Sequence, residues 1–433
     1  MTFQDFEHAS DLVWDWIFDA EAERLEMRPE ALGVLMQRIV ASQYEDQAPL
    51  NTLPRHVALA RRTISLAESK GLPLSTLFAD SFGLAFEELL AISLRVAAWA
   101  HSSSPIPTGG VALDGTTKVD STKLTQFWEM CALGYNEFAD RAQSPQVQFA
   151  DLQEYGLSPT IFWPVIRRTD GAYVVPIVHD LIHRAGRSFA FDARQAAGNT
   201  NRDLLDEVRG NAFESFVGDI LSGTSGVRSV RHADDALLAT AKGKRCDWVC
   251  FDGNGGRATL VEAKAAHLPL RTAMFPTPEN QRAYVEREGG IADAVAQIDD
   301  TARAIRDGQS HLPHQTKLMG LVVLDGPQVM LNGKTIREIV SATLHARGRP
   351  APSIRYQVAT SDGLVQLVLS ASTGASLWER LNTKHSRRPD RYADMDQLSI
   401  PPEASSMTVH PVLETMANEL REIGWGGILL EPD

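Results

Sequence analysis

The chain has 433 residues, 43% of them hydrophobic, with 42 Lys+Arg against 55 Asp+Glu and a formal net charge of −13. That is enough apolar material for two or three domains with cores of their own, which excludes a short or disordered protein. Three cysteines exclude a disulfide scaffold and indicate a reducing compartment. The net acidity argues against a surface that binds nucleic acid everywhere.

The acidity is uneven. Residues 1–200 hold 16 Lys+Arg and 25 Asp+Glu, a balance of −9, while residues 201–433 hold 26 and 30, a balance of −4. The N-terminus has no signal-peptide pattern, and the most apolar stretch, 89–100, is short and cut by Arg95. A soluble, cytoplasmic protein with no membrane association is expected.

In chain order, apolar residues at three- and four-residue spacing predict helices over 12–17, 31–39, 58–66, 82–100 and 124–138. Residues 1–145 are therefore expected to form a helical accessory or regulatory domain, interrupted by a Ser/Pro/Gly-rich loop at 101–117. Residues 146–200 read as a small α/β linking module, with a hairpin turning at Asp170-Gly171 and a strand at 173–178 turning into a helix. The best boundary is 195–201.

Beyond it, residues 201–375 read as a mixed α/β domain and 376–433 as a C-terminal extension. An amphipathic helix covers 209–221. Segments 246–251 and 258–261 are apolar, aromatic and β-branched, and the break between them contains Asn254-Gly255, a strong two-residue turn signal. Helix 292–305, strand 317–324, helix 334–346 and strand 353–359 follow, then a short helix or strand at 364–371. A linker at 389–406, a helix at 410–423 and an edge strand or docking segment at 428–430 complete the chain.

The hairpin carries the chemistry. With Asn254-Gly255 as the turn, paired positions put Asp252 opposite Arg257, Val249 opposite Leu260 and Asp247 opposite Glu262, with Lys264 on the same face. A turn at Gly255-Gly256 would put Lys264 opposite Asp247 instead and keep the shared face. Two adjacent carboxylates repel, and both stay ionised at neutral pH only with a cation between them. Oxygen-only ligation suits Mg²⁺, with Mn²⁺ as a substitute, and water and a phosphate completing the shell. Lys264 beside such an ion could orient the attacking water and offset charge in the transition state. Phosphodiester hydrolysis is the chemistry expected. Cys246 and Cys250 are expected as buried thiols on the hairpin face opposite Asp247.

A Glu-x-Lys tripeptide alone says little, and Glu68-Ser69-Lys70 is an internal control at the end of a helical segment. The strand, turn, opposed Asp247 and preceding helix set Glu262-Ala263-Lys264 apart. Together these residues resemble the PD-(D/E)XK, or restriction-endonuclease-like, nuclease superfamily. The resemblance spans about residues 204–325 and implies a mixed sheet core flanked by helices. It also implies Glu214 on the first helix as a further metal ligand, the Ala263 carbonyl as another, and Gln297 on the second helix as a supporting polar residue. Cys246 stands where the family's naming proline would be, and the stretch 265–290 is longer than a minimal core needs, which predicts an insertion beside the site.

The resemblance implies a Mg²⁺-dependent DNA nuclease, an endonuclease rather than an exonuclease, of the kind found in bacterial restriction or anti-phage defence. Its implied partners are DNA, an operon-encoded protein or ATPase, and a second copy in a homodimer. The chain has no phosphate-binding loop of its own. Lys242, Lys244 and Arg245, which lead into the hairpin, are candidate nucleic-acid contacts. The alternative reading is a catalytically silent scaffold or sensor on the same fold. His179 and His183, at helical i and i+4 spacing, resemble a zinc-protease pair, but Asp180 replaces the glutamate that would serve as base.

Overall fold

A computed structural model describes residues 49–102, 121–143, 163–186, 188–224, 226–241, 243–252, 256–265, 278–313, 315–325, 333–371, 376–387 and 411–420. The expected helices at 12–17 and 31–39, nearly all of the 101–117 loop, the Asn254-Gly255 turn, Lys242, the 389–406 linker and the 428–430 segment lie outside the described residues. Among the described residues no helix is long and apolar enough to cross a membrane.

The protein is mixed α/β, with a helical N-terminal part and two mixed sheets. Helices Pro49–Ser69, Leu74–Phe82 and Phe86–Ser102 share one apolar core with Val178–Gly186 and Phe189–Ala197, through Leu53, Phe78, Leu89, Leu181 and Phe189. The helix expected over 82–100 is present as Phe86–Ser102, cut after its first residue because Phe82 ends the helix before it. Gly83, in the left-handed region at φ 71°, closes Leu74–Phe82 by donating its N–H to the Ala79 carbonyl. The Glu88 carboxylate then accepts the Ala85 N–H at 2.8 Å and starts the next helix.

The expected helix 124–138 is also divided. Helices Ser121–Cys131 and Tyr135–Gln143 flank β1 (Ala132–Gly134), which pairs in parallel with β2 (Val165–Arg167). Pairing with a segment some thirty residues away overrides the local helical spacing. β2 turns antiparallel into β3 (Tyr173–Val174) at the expected place. Gly171 has φ 87°, and the Asp170 carboxylate accepts the Ala172 N–H at 3.0 Å.

The second sheet has the order β4-β5-β6-β7-β8. β4 (Val227–His232), β5 (Trp248–Asp252) and β6 (Arg257–Lys264) are successively antiparallel, whereas β7 (Lys317–Leu324) and β8 (Tyr356–Thr360) join in parallel. The hairpin register is the expected one, with Val249 opposite Leu260 and Trp248 opposite Val261. Alternation sends Val249, Leu260 and Val322 toward helices Ile291–Arg306 and Gly333–Ala346, which fill that face with Val295, Ile298 and Val340. Cys250, Val261 and Val323 face the other way, onto Phe213, Phe216 and Val217 of helix Arg202–Ser222 and Leu367 of helix Ser361–Ala371. The 364–371 segment is thus helical.

Two cysteines split between these layers. Cys250 is buried on the Phe213 side as expected, but Cys246 is buried on the opposite side, beside the Ile291–Arg306 helix. It precedes the first residue of β5, so strand alternation does not govern it, and its N–H is held by Thr301 Oγ1 at 3.0 Å. Part of the expected insertion at 265–290 is helix Pro278–Glu286, whose Tyr284 and Val285 join the same core.

The Arg202–Ser222 helix links the two halves of the chain. Its Leu205 and Val208 belong to the N-terminal core and its Phe213 to Leu221 stretch to the sheet's core. Pro49–Ser69 lies along it, with Arg62 bonded to Ser215 at 3.0 Å and paired with Asp219, and Lys70 paired with Glu207. Lys70 of the control tripeptide is therefore occupied by a helix–helix tie.

Candidate active site

Asp247 is placed by backbone bonds on two sides. Its N–H donates to the Val261 carbonyl at 3.1 Å, and its carbonyl accepts the Ala233 N–H at 2.9 Å, so it sits where β4 ends, β5 begins and β6 ends. Its side chain reaches across the hairpin, where Oδ2 accepts the Ala263 N–H at 2.7 Å. Glu262 and Lys264 share a face of β6, and Lys264 Nζ pairs with Glu262 Oε1. Glu262 is 1% exposed and Lys264 half-buried, so solvent screens their contact little.

The Ile291–Arg306 helix supplies the floor. With its amide turned so that the nitrogen faces the acceptors around it, Gln297 donates to Glu262 Oε1 at 2.9 Å and to the Arg245 carbonyl at 3.1 Å. One turn on, Thr301 holds the Cys246 N–H, so two consecutive helical turns fix the segment that delivers Asp247. From the other side of the sheet, Glu214 Oε1 lies 2.9 Å from His232 Nε2, and the Glu214 carbonyl accepts Trp248 Nε1 at 3.1 Å.

Burial makes both hairpin carboxyls reluctant to ionise. It pushes Glu262 up to about 8, with Asp247 adding to the rise and Lys264 opposing it through its charge and its hydrogen bond. Burial likewise raises Asp247 to about 6, opposed by the Ala263 N–H, reinforced by Glu214, and opposed again by Lys264 and His232. Glu262 Oε2 is buried and accepts no hydrogen bond among the described residues. An orphaned carboxylate oxygen beside a second carboxylate is a site that gains from a proton or a cation.

The structure thus brings Asp247, Glu262, Ala263, Lys264 and Gln297 together and sets Glu214 close enough to act on both hairpin carboxyls. Lys244 is exposed. Arg245 is engaged elsewhere, bonded to Asp234 at 2.7 Å and to the carbonyls of Leu238 and Ala241. Sequence reading missed His232. It ends β4, an edge strand whose Val-Arg-Ser-Val-Arg-His sequence carries no strong pattern, and only the pairing of His232 with Trp248 reveals its place.

His179 and His183 lie on helix Val178–Gly186 in the N-terminal core. Among the described residues no three His, Cys, Asp or Glu side chains converge as a ready-made metal cage. The chain matches no protein-family model, no curated protein and no solved structure.

Proposed function

We propose that the protein is a metal-dependent nuclease that hydrolyses DNA phosphodiester bonds, on a PD-(D/E)XK-like fold. The observation that carries this reading is the convergence of Asp247, Glu262 and Lys264 at one end of a buried hairpin, with Glu262 Oε2 left without a hydrogen bond. The element order supports it: helix Arg202–Ser222, a strand run leading from Asp247 to Glu262 and Lys264, helix Ile291–Arg306, then strand Lys317–Leu324, as the resemblance implies. A restriction or anti-phage role, and a protein or ATPase partner, remain part of the proposal by analogy with that superfamily.

The residues fit a small hard cation. Asp247, Glu262 and the Ala263 carbonyl would hold Mg²⁺ or Mn²⁺, with solvent completing the shell and Glu214 as a further acidic group. When bound, such an ion supplies Lewis acidity and offsets charge on the scissile phosphate. The chain's own groups do the rest. Gln297 keeps Glu262 in place, and with the charge of Glu262 balanced by a cation, Lys264 Nζ is free to face the phosphate and the incoming water. The water oxygen bonds to phosphorus, one P–O bond to sugar breaks, and the water's proton ends on the departing sugar oxygen.

The test is cleavage of supercoiled plasmid, linear duplex, single-stranded DNA and RNA in Mg²⁺ and Mn²⁺ by wild type, Glu262→Ala and Lys264→Ala. Metal-dependent cleavage of DNA that both variants lose is the expected result. Cleavage that persists unchanged in the variants overturns the assignment of the site. No cleavage, combined with no Glu262-dependent Mn²⁺ binding by calorimetry, leaves the silent scaffold.

A further inference from the structure

We propose that His232 is a positioning residue of this site: its imidazole holds the Glu214 carboxylate in place, so that the helix's acid adds its charge to that of the two hairpin acids when a divalent cation binds. The inference rests on the nuclease reading and extends it to a residue outside the hairpin.

The placement of His232 is determined from three directions. It is the cross-strand partner of Trp248, and the two rings meet edge to face at 5.3 Å between centroids. Trp248 is itself immobilised, because its indole N–H is bonded to the Glu214 carbonyl at 3.1 Å and its ring rests on Gly218. A Cβ at Gly218 would come within 2.7 Å of Trp248 Cε2. The helix turn that carries Glu214 is therefore locked to the strand pair that carries His232, and the imidazole meets the Glu214 carboxylate at 2.9 Å.

The other ring nitrogen faces a second carboxylate, beyond hydrogen-bond distance. His232 Nδ1 lies 3.8 Å from Asp234 Oδ2, and Asp234 is bonded in turn to Arg245, whose carbonyl receives the Gln297 amide that also serves Glu262. Successive contacts thus run from Glu214 through His232, Asp234, Arg245 and Gln297 to Glu262. Hydrogen bonds from outer residues orient metal-holding acids in many sites. Without His232, Glu214 is a half-buried glutamate on a helix surface with several rotamers open to it.

Mn²⁺ titration calorimetry on the full chain tests this, with urea midpoints recorded in chelator for each variant. His232→Ala is expected to weaken Mn²⁺ binding about tenfold. His232→Gln, whose terminal amide N–H still reaches Glu214, recovers most of it. In a Glu214→Gln background, His232→Ala has no further effect. His232→Asn, polar but too short to reach Glu214, makes the same comparison if the alanine variant does not fold. Wild-type binding that depends on Glu262 but changes less than twofold in His232→Ala, or an equal loss in the Glu214→Gln background, overturns the role of His232 and leaves the nuclease site standing. A wild type that binds no Mn²⁺ overturns the nuclease reading, and the role of His232 with it.

Discussion

Asp247 Oδ2 accepts the N–H of Ala263 at 2.7 Å, so a carboxylate before one strand is pinned to the backbone of the next, between Glu262 and Lys264. This bond gives Asp247 two separable roles, one in holding the hairpin and one in offering charge. Asp247→Asn keeps an oxygen for the Ala263 N–H and removes the charge. We expect its unfolding free energy in urea to stay within about 1 kcal/mol of wild type, since the bond persists and a buried charge is gone. Plasmid cleavage should fall by about a thousandfold, the loss of several kcal/mol of metal-assisted stabilisation. Near-normal cleavage by this variant would remove Asp247 from the site.

The raised Glu262 carboxyl makes the stability of the metal-free protein depend on pH. Folded Glu262 keeps its proton up to about 8, whereas an ordinary glutamate releases it near 4.5, so between these values the folded chain binds more protons than the unfolded one. The stabilisation is complete below the lower value and is lost as pH rises through the upper one. Asp247 adds a smaller contribution of the same sign, between 3.8 and about 6. In chelator, urea unfolding should show stability declining from pH 5 to 8.5 by on the order of 5 kcal/mol. Glu262→Gln should flatten the part above pH 6, and Mn²⁺ should restore wild-type stability at pH 8. A flat wild-type profile would contradict the buried, proton-holding Glu262.

The hairpin was legible because its information is local. Asn254-Gly255 specifies a turn length, period-two alternation specifies a face, and together they place Asp247, Glu262 and Lys264 without any tertiary knowledge. Strand 317–324 and helices 292–305 and 334–346 were legible for the same reason, as uninterrupted apolar or amphipathic runs. β4 was not. An edge strand carries charge to discourage further pairing, and Arg228 and Arg231 are both exposed, which erases its apolar period. β1 was hidden because its strand character comes from Val165 to Arg167, and Cys246 was misplaced because it lies just outside the strand whose alternation was applied to it. His232 depended on β4, so the edge of the site was lost with it.

Gly218→Ala probes the lock between helix and sheet. The added methyl would overlap the Trp248 indole, which is held by its bond to Glu214, so either the ring or the helix must shift. Overpacking of this kind costs roughly 1–3 kcal/mol, less about 0.8–1.0 kcal/mol regained from helix propensity. Thermal and urea unfolding should both report the loss. Because Trp248 also backs His232, Mn²⁺ affinity should fall in the variant even at temperatures where it is fully folded. A variant as stable as wild type would mean that the indole has room to move.

Gln297 and Asp299 stand two residues apart on one helix and face different tasks, which allows the site to be separated from the scaffold. Asp299, 2% exposed, pairs with Arg303 and accepts both the N–H and the hydroxyl of Ser353, at 2.7 and 2.8 Å, tying the helix to the segment before β8. Asp299→Ala leaves those donors and Arg303 without their acceptor and should cost about 2–4 kcal/mol. Its Mn²⁺ affinity, measured below the transition, should match wild type. Gln297→Ala should do the opposite. Its bonds go to Glu262 and to a backbone carbonyl, so the stability loss is about 1 kcal/mol, while Mn²⁺ affinity and cleavage fall about tenfold as Glu262 loses its orienting donor. Parallel calorimetry and urea curves on the two variants decide the matter: equal effects on both measurements in both proteins would show that this helix serves the fold alone.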